Sequence, residues 1–373
     1  MSNSIYEKVS DEEQSYSDDS LYNITSFGTD LSLREIAMMY EEGELEKPEL
    51  QRKYVWSKNE ASRFIDSVLL GLPVPSIFLA KTADEKRLIV DGYQRIMTVC
   101  DFMKGIFGGD GKVFKLSNSE NINVKWRGKT FVELSDEHKR KIKNYPIHAI
   151  IFEQKHPQND TGMYQIFERI NTSGRPLKPQ EIRNCVYHGN FNGLLFELNK
   201  YEIWRNILGF KKEDSRMADV ELILRFFAFI DLSNRVDVEQ SQINLVKFMN
   251  EYMKDNCNIN KNKLDEFSDL FKQIMQYLYR ELDAITFKNA KFKDQHLVWA
   301  KRINPVIYDA VSVATYQVYR EHGLEYLKSC NIKEKYMSLV QDEDFALVIS
   351  QRTTNVDNIK RRVAIAKRYL FEE

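Results

Sequence analysis

Arg87-Leu88-Ile89-Val90-Asp91-Gly92-Tyr93-Gln94-Arg95-Ile96 is the stretch on which the fold turns. The apolar run Leu88 to Val90 reads as a buried strand, and Asp91-Gly92 breaks it. Gln94 to Lys104 then reads as a helix, with Ile96, Val99, Cys100 and Met103 on one stripe. A strand that hands over to a helix so abruptly leaves backbone N–H groups and the positive end of the helix dipole at the junction, where anions are favoured. Gly92 permits close approach to the backbone, and Arg95 offers a forked cation for a phosphate. The same residues also suit an ordinary connector, with Asp91 as a cap and Arg95 in a surface ion pair. On this stretch alone both readings stand.

Upstream, residues 1–20 carry Glu7, Asp11, Glu12, Glu13, Asp18 and Asp19 among serines and read as a disordered acidic tail. Order begins near Leu21. Ser32-Leu33-Arg34-Glu35 and Ser57-Lys58-Asn59-Glu60 both fit capping boxes, each opening a helix. Between them lies the extended, mixed polar and aromatic segment Gln51-Arg52-Lys53-Tyr54-Val55-Trp56. Gly71 and Pro73 end the second helix, and Ile77 to Ala80 reads as a strand.

Downstream, residues 108–130 read as an irregular insertion or an extra hairpin. Ser135 caps a short helix, and Pro146 to Phe152 is a further strand. Thr161 to Arg169 is helical by spacing and enters the polar loop Ile170-Asn171-Thr172-Ser173-Gly174-Arg175-Pro176-Leu177. Pro179 restarts a helix. From residue 191 to the end the spacing is helical, over Val220 to Asp231, Gln242 to Asp255, Leu264 to Leu282 and Asn304 to Tyr319, with little strand signal. The expected class is therefore α+β. A mixed α/β domain spans residues 21–190 and an α-helical domain spans 191–373.

With 373 residues, 43% of them hydrophobic, the chain can bury two cores. A formal net charge of −1 gives no global drive toward nucleic acid or anionic lipid, so any such surface must be local. No run reaches the length of a membrane span and no secretory signal is evident, so a cytoplasmic protein without a membrane partner is expected. Cys100, Cys185, Cys257 and Cys330 form no CxxC pair, and the six histidines form no HxH or HxxxH pair, so no zinc signature is present. No P-loop and no GxSxG elbow occurs.

Three segments gather polar groups at element junctions: Gln51 to Trp56, Asp91 to Arg95, and Arg169 to Glu181. They offer Arg52, Arg95, Arg169 and Arg175 as anion ligands and Gln51, Gln94 and Asn171 as hydrogen-bonding amides. Asp91 and Glu181 are candidates to hold a metal or orient a water. If the segments converge, such a set suits a nucleoside triphosphate with Mg²⁺. Near the C-terminus, Lys360, Arg361 and Arg362 with Lys367 and Arg368 make the last helix basic, a candidate contact for DNA phosphates or simply a solvated face; Lys211-Lys212 and Lys288 to Lys293 are weaker candidates of the same kind.

The three junction segments, in this order and spacing, resemble the N-terminal domain family of GmrSD-type restriction endonucleases over roughly residues 25–190. The resemblance implies a ParB/sulfiredoxin-like fold, a bacterial source, a part in restriction or phage defence, and binding and hydrolysis of a nucleoside triphosphate, GTP or ATP. The family's Asp-Gly-Gln-Gln-Arg motif falls on Asp91 to Arg95, with Tyr93 in place of the first Gln. That departure touches base or ribose contacts more than phosphate binding. By the same correspondence Gln51 and Arg52 belong to the first motif, and Arg169, Asn171 and Gly174 to the third. The implied catalytic set is Asp91, Gln94 and Arg95, with Gly92 among the nucleotide ligands. Many relatives continue into an HNH nuclease, but the helical half here has only His296 and His322, in no such arrangement. The expectation is a nucleotide-dependent sensor or switch. The alternatives are a non-catalytic nucleotide- or DNA-binding module for an effector protein or a second copy, and a metal-dependent endonuclease.

Overall fold

In the computed structural model, which describes residues 5–7, 22–46, 56–82, 85–156, 161–170, 177–187, 189–234, 241–293 and 296–372, the chain divides into two compact units. One comprises residues 18–177 with 184–186; the other comprises 178–183 and 187–373, joined by residues 1–17.

The first unit is a mixed sheet faced by helices. Its strands are β1 (Tyr22–Ser32), β2 (Leu45–Glu46), β3 (Ile77–Lys81), β4 (Arg87–Asp91) and β5 (Pro146–His156), in the order β1-β5-β3-β4-β2. β1 runs antiparallel to β5 along its whole length, β5 is parallel to β3, β3 is antiparallel to β4, and β4 is parallel to β2. Leu88, Ile89 and Val90 are all buried, as an unbroken apolar strand inside a sheet requires. Each such side chain contributes roughly 1.5–3 kcal/mol of burial.

The helices are α1 (Leu33–Glu41), α2 (Lys58–Leu70), α3 (Tyr93–Lys104), α4 (Asp136–Lys143) and α5 (Thr161–Ile170). Both predicted capping boxes are present. The Ser32 and Ser57 hydroxyls accept from the N–H groups of Glu35 and Glu60, and each glutamate carboxylate accepts from its serine's N–H. α1, α2 and α3 bury Ile36, Ile65, Val68, Ile96 and Val99 against Ile77, Leu79 and Ile89 of the sheet.

The stretch between α3 and α4 is irregular, yet it belongs to the core. Phe107, Phe114, Leu116, Ile122, Trp126 and Phe131 are buried with the helices. Asp66 of α2 anchors it, accepting from Trp126 Nε1 at 2.7 Å and from the Asn123 N–H at 2.9 Å. Sequence periodicity gives no sign of this because the buried residues follow no helix or strand period.

The second unit is helical: α6 (Pro179–Val186, whose last three residues fall with the first unit), α7 (Asn190–Asn199), α8 (Glu202–Leu208), α9 (Ala218–Asn234), α10 (Leu245–Asp255), α11 (Lys261–Leu282), α12 (Pro305–Ser329), α13 (Lys333–Leu339), α14 (Glu343–Ser350) and α15 (Val356–Phe371). Trp204 packs on Phe271 and Tyr308 at its centre. Among the described residues no helix is long and apolar enough to cross a membrane.

Two expectations are corrected here. Residues 288–303 are not helical but form a hairpin, β6 (Lys288–Lys293) antiparallel to β7 (His296–Ile303). Its alternation of lysine with small and aromatic residues is a strand pattern that the neighbouring helices obscure. Within the presumed acidic tail, Ile5 is buried, Tyr6 pairs with Ile303, and the Glu7 carboxylate accepts from Asn304. The remaining residues of that tail lie outside the described set.

Candidate anion-binding site

β4 delivers Asp91 to the start of α3, and the turn between them is made by Gly92 alone. Gly92 is the N-cap of α3 at φ 98°, a left-handed conformation that glycine tolerates and other residues resist. A Cβ on Gly92 would meet Ile77 Cγ2 at 2.5 Å. The backbone here is pressed against β3, and the first turn of α3 presents N–H groups that have no acceptor within the helix. Asp91 does not cap the helix, since no side chain does so.

Asp91 instead pairs with Arg95, with Nη2 at 2.5 Å from Oδ2. The same Nη2 donates to the carbonyl oxygen of Ser76 at 3.1 Å. The guanidinium is thus clamped by two acceptors from different strand ends, and its side chain is only 14% exposed, which rules out the surface ion pair. Its Nε is buried without a hydrogen-bond partner in the described residues. A buried donor left unmatched costs about 1–3 kcal/mol, so this atom is one that an incoming acceptor would satisfy.

Gln94 accepts from the Trp56 N–H at 3.3 Å, and the Thr98 hydroxyl donates to the Gln94 carbonyl at 2.7 Å. The end of the first motif is therefore tied to the second. α5, which carries the start of the third motif, packs against β4. The described end of the first motif, the second motif and the start of the third thus lie in one unit, whereas Gln180 and Glu181 of the third fall in the other. Tyr93 is half-buried against the core, and its phenol is pushed well above its usual range by burial first and by Tyr40 next. The residue that departs from the family motif serves packing.

Arg169 is exposed in the last turn of α5. Its neighbour Glu168 is half-buried, and burial raises its carboxyl above the usual value while Arg169 opposes this. Gln51, Arg52, Asn171, Gly174 and Arg175 lie outside the described residues.

Two candidates are corrected. Glu181 does not offer a free carboxylate: it is buried in the helical unit, accepting from Arg216 Nε and from the Lys178 N–H, each at 2.7 Å. Arg362 is no DNA contact, because it is wholly buried, donating to the Thr353 carbonyl at 2.6 Å and lying 3.3 Å from Asp309. Val356, Ile359 and Val363 define the buried stripe of α15 correctly, but a helix of this width buries Arg362 as well. Arg361 is paired with Asp344, and Lys360 is exposed.

The residues missed by sequence reasoning are Ser76, which acts through its backbone carbonyl, and Ile77, which acts through bulk. Neither role has a residue-type signature. Among the described residues no three His, Cys, Asp or Glu side chains converge as a metal site.

No curated protein and no solved structure matches the chain. Residues 33–188 match the model of the GmrSD restriction endonuclease, N-terminal domain. The matched segment holds the Asp91–Arg95 turn, Trp56 and α5, and over residues 33–188 the chain is similar to that family.

Proposed function

We propose that the α/β unit, with a ParB/sulfiredoxin-like fold, binds a nucleoside triphosphate at the turn between β4 and α3 and hydrolyses it as part of a bacterial restriction or phage-defence system. The observation that carries this reading is the Arg95 guanidinium, fixed by Asp91 and Ser76 beside the α3 N-terminus with its buried Nε unmatched. A fixed, forked cation and a helix N-terminus favour phosphate oxygens, and pre-positioned donors need no reorganisation as charge develops in the transition state. Gly92 lets a phosphate reach the backbone, and Gln94 orients the attacking water. Water attacks the γ-phosphorus, the bond to the β-phosphate oxygen breaks, and the nucleoside diphosphate leaves. Arg52, Gln51, Arg169, Asn171 and Gly174 complete the nucleotide contacts in this reading. Mg²⁺ is commonly held by one or two carboxylates together with substrate phosphates, and Asp91 is the carboxylate present to do so.

A second reading, binding without turnover, has its own support. Asp91 is already engaged by Arg95, which reduces its capacity to position a metal or a water. In that case nucleotide sets a conformation read by an effector protein or a second copy. Calorimetric titration with GTP and ATP, alongside a phosphate-release assay with Mg²⁺, separates the two. Release that is lost in folded Arg95→Ala supports hydrolysis, whereas binding without release selects the module. Absence of binding to the wild-type chain removes both.

A further inference from the structure

The hairpin β6–β7 carries five cations, Lys288, Lys291, Lys293, Lys301 and Arg302, against one acid, Asp294. That is a strong local excess in a chain of formal net charge −1. Within the described residues none of these five side chains has a carboxylate partner. The terminal helix α15 behaves differently, since Arg361 and Lys367 are paired and Arg362 is buried.

Register sorts the hairpin into two faces. Lys291 stands opposite Val298 and Lys293 opposite His296, while Ala290 faces Trp299 and Phe292 faces Leu297. Successive residues of a strand point to opposite sides, so Lys291, Lys293, His296 and Val298 share one face, and Ala290, Phe292, Leu297 and Trp299 share the other. The aromatic face is anchored at Trp299, while Phe292 on the same face stays exposed. Trp299 stacks on Tyr336 of α13 at 5.9 Å and 11°, and the Tyr336 hydroxyl donates to the Lys288 carbonyl at 2.9 Å. An isolated two-stranded hairpin is marginal in water, and this contact holds it in place. On the opposite face Lys291, Lys293, His296 and Val298 are all exposed.

We infer that the Lys291–Lys293 face of this hairpin is a docking surface for duplex DNA, independent of the nucleotide reading above. A two-stranded ribbon fits the roughly 12 Å major groove of B-form DNA. Lysines with no carboxylate partner among the described residues gain from phosphates by counterion release. Val298 supplies an apolar group of the kind that contacts a thymine methyl. The deep, narrow major groove of an RNA duplex does not admit such a ribbon, which distinguishes the two partners.

The test uses the full chain without nucleotide and a fluorescein-labelled 20-base-pair DNA duplex, reading anisotropy across about 50 to 200 mM salt. In Lys291→Glu/Lys293→Glu, affinity should fall about tenfold or more. In Lys291→Ala/Lys293→Ala, the slope of log affinity against log salt should lessen by about 1.8, two phosphate contacts at about 0.9 each. Both lysines are exposed, so an unchanged melting temperature verifies folding. The proposal is overturned if wild type does not bind DNA, if the folded variants keep the wild-type affinity and slope, or if an RNA duplex of the same length binds equally well. It is also overturned if vesicles containing phosphatidylserine bind and DNA does not. Because Arg95 plays no part in this assay, loss of nucleotide binding in Arg95→Ala leaves its outcome unaffected.

Discussion

Arg95 illustrates how a residue's neighbours decide between two readings of the same letter. Exposed to solvent it would be a surface cation of small consequence; held between Asp91 and Ser76 it is a fixed donor array. Arg95→Lys keeps the charge but not the planar fork, so nucleotide affinity should fall by about tenfold or more, measured by titration calorimetry. Wild-type affinity in that variant would remove the bidentate reading. Gly92 poses a separate constraint. Gly92→Ala imposes a left-handed φ on a residue with a Cβ and drives it into Ile77, a loss of at least about 1–2 kcal/mol in urea unfolding. An unchanged midpoint would show that the turn can relax. The glycine's role was visible in the sequence, because a strand-to-helix turn needs one, but the clash with Ile77 was not. It depends on β3 lying beside β4, a contact set by sheet order.

At the scale of the element, local signals were legible where the chemistry is local. Ser32 and Ser57 mark helix starts, and Pro179 stands in the first turn of α6, because caps depend on residues three positions apart. Ser57→Ala should cost about 1 kcal/mol near neutral pH. The sign of its pH dependence follows from Glu60, whose carboxyl is lowered by the Ser57 backbone N–H and then by its hydroxyl. That contribution is present above the unfolded carboxyl value of about 4.3 and fades as pH falls through the lower folded value. Urea midpoints of wild type and variant should therefore draw closer between pH 6 and pH 3 without meeting, since the hydroxyl's cap on the Glu60 N–H does not titrate; a constant gap would show that the hydroxyl does not act through the carboxylate. The β6–β7 hairpin and the Phe107–Phe131 segment were illegible for opposite reasons. The first is a short strand pattern among long helices, and the second buries aromatic residues without any period.

Across the whole molecule, the two units keep different kinds of interior. The sheet unit is apolar around Ile77, Leu79 and Ile89, whereas the helical unit buries a charged cluster. Arg225 grips Asp309 with Nε on Oδ1 and Nη2 on Oδ2, each at 2.6 Å, and Arg362 closes on the same carboxylate. Asp309→Ala would leave two buried guanidinium groups facing each other, a cost of about 3–5 kcal/mol. Hydrogen exchange should show the lost protection concentrated in α9, α12 and α15, and protection lost evenly across the β1–β5 sheet would contradict that localisation. None of this was legible in the sequence, because Arg225, Asp309 and Arg362 are far apart in the chain and each looks like a surface residue.

The stacking of Trp299 on Tyr336 has an optical consequence. Trp126 and Trp204 are buried, whereas Trp56 and Trp299 are half-buried, one beside Gln94 and the other in the hairpin. The chain thus carries four native tryptophan fluorophores, two in each unit, of which one in each is half-buried. Replacing Trp56 or Trp299 with phenylalanine subtracts that residue's share from the emission, so the proposed nucleotide site at the turn and the proposed duplex surface at the hairpin can each be tested by the response that disappears.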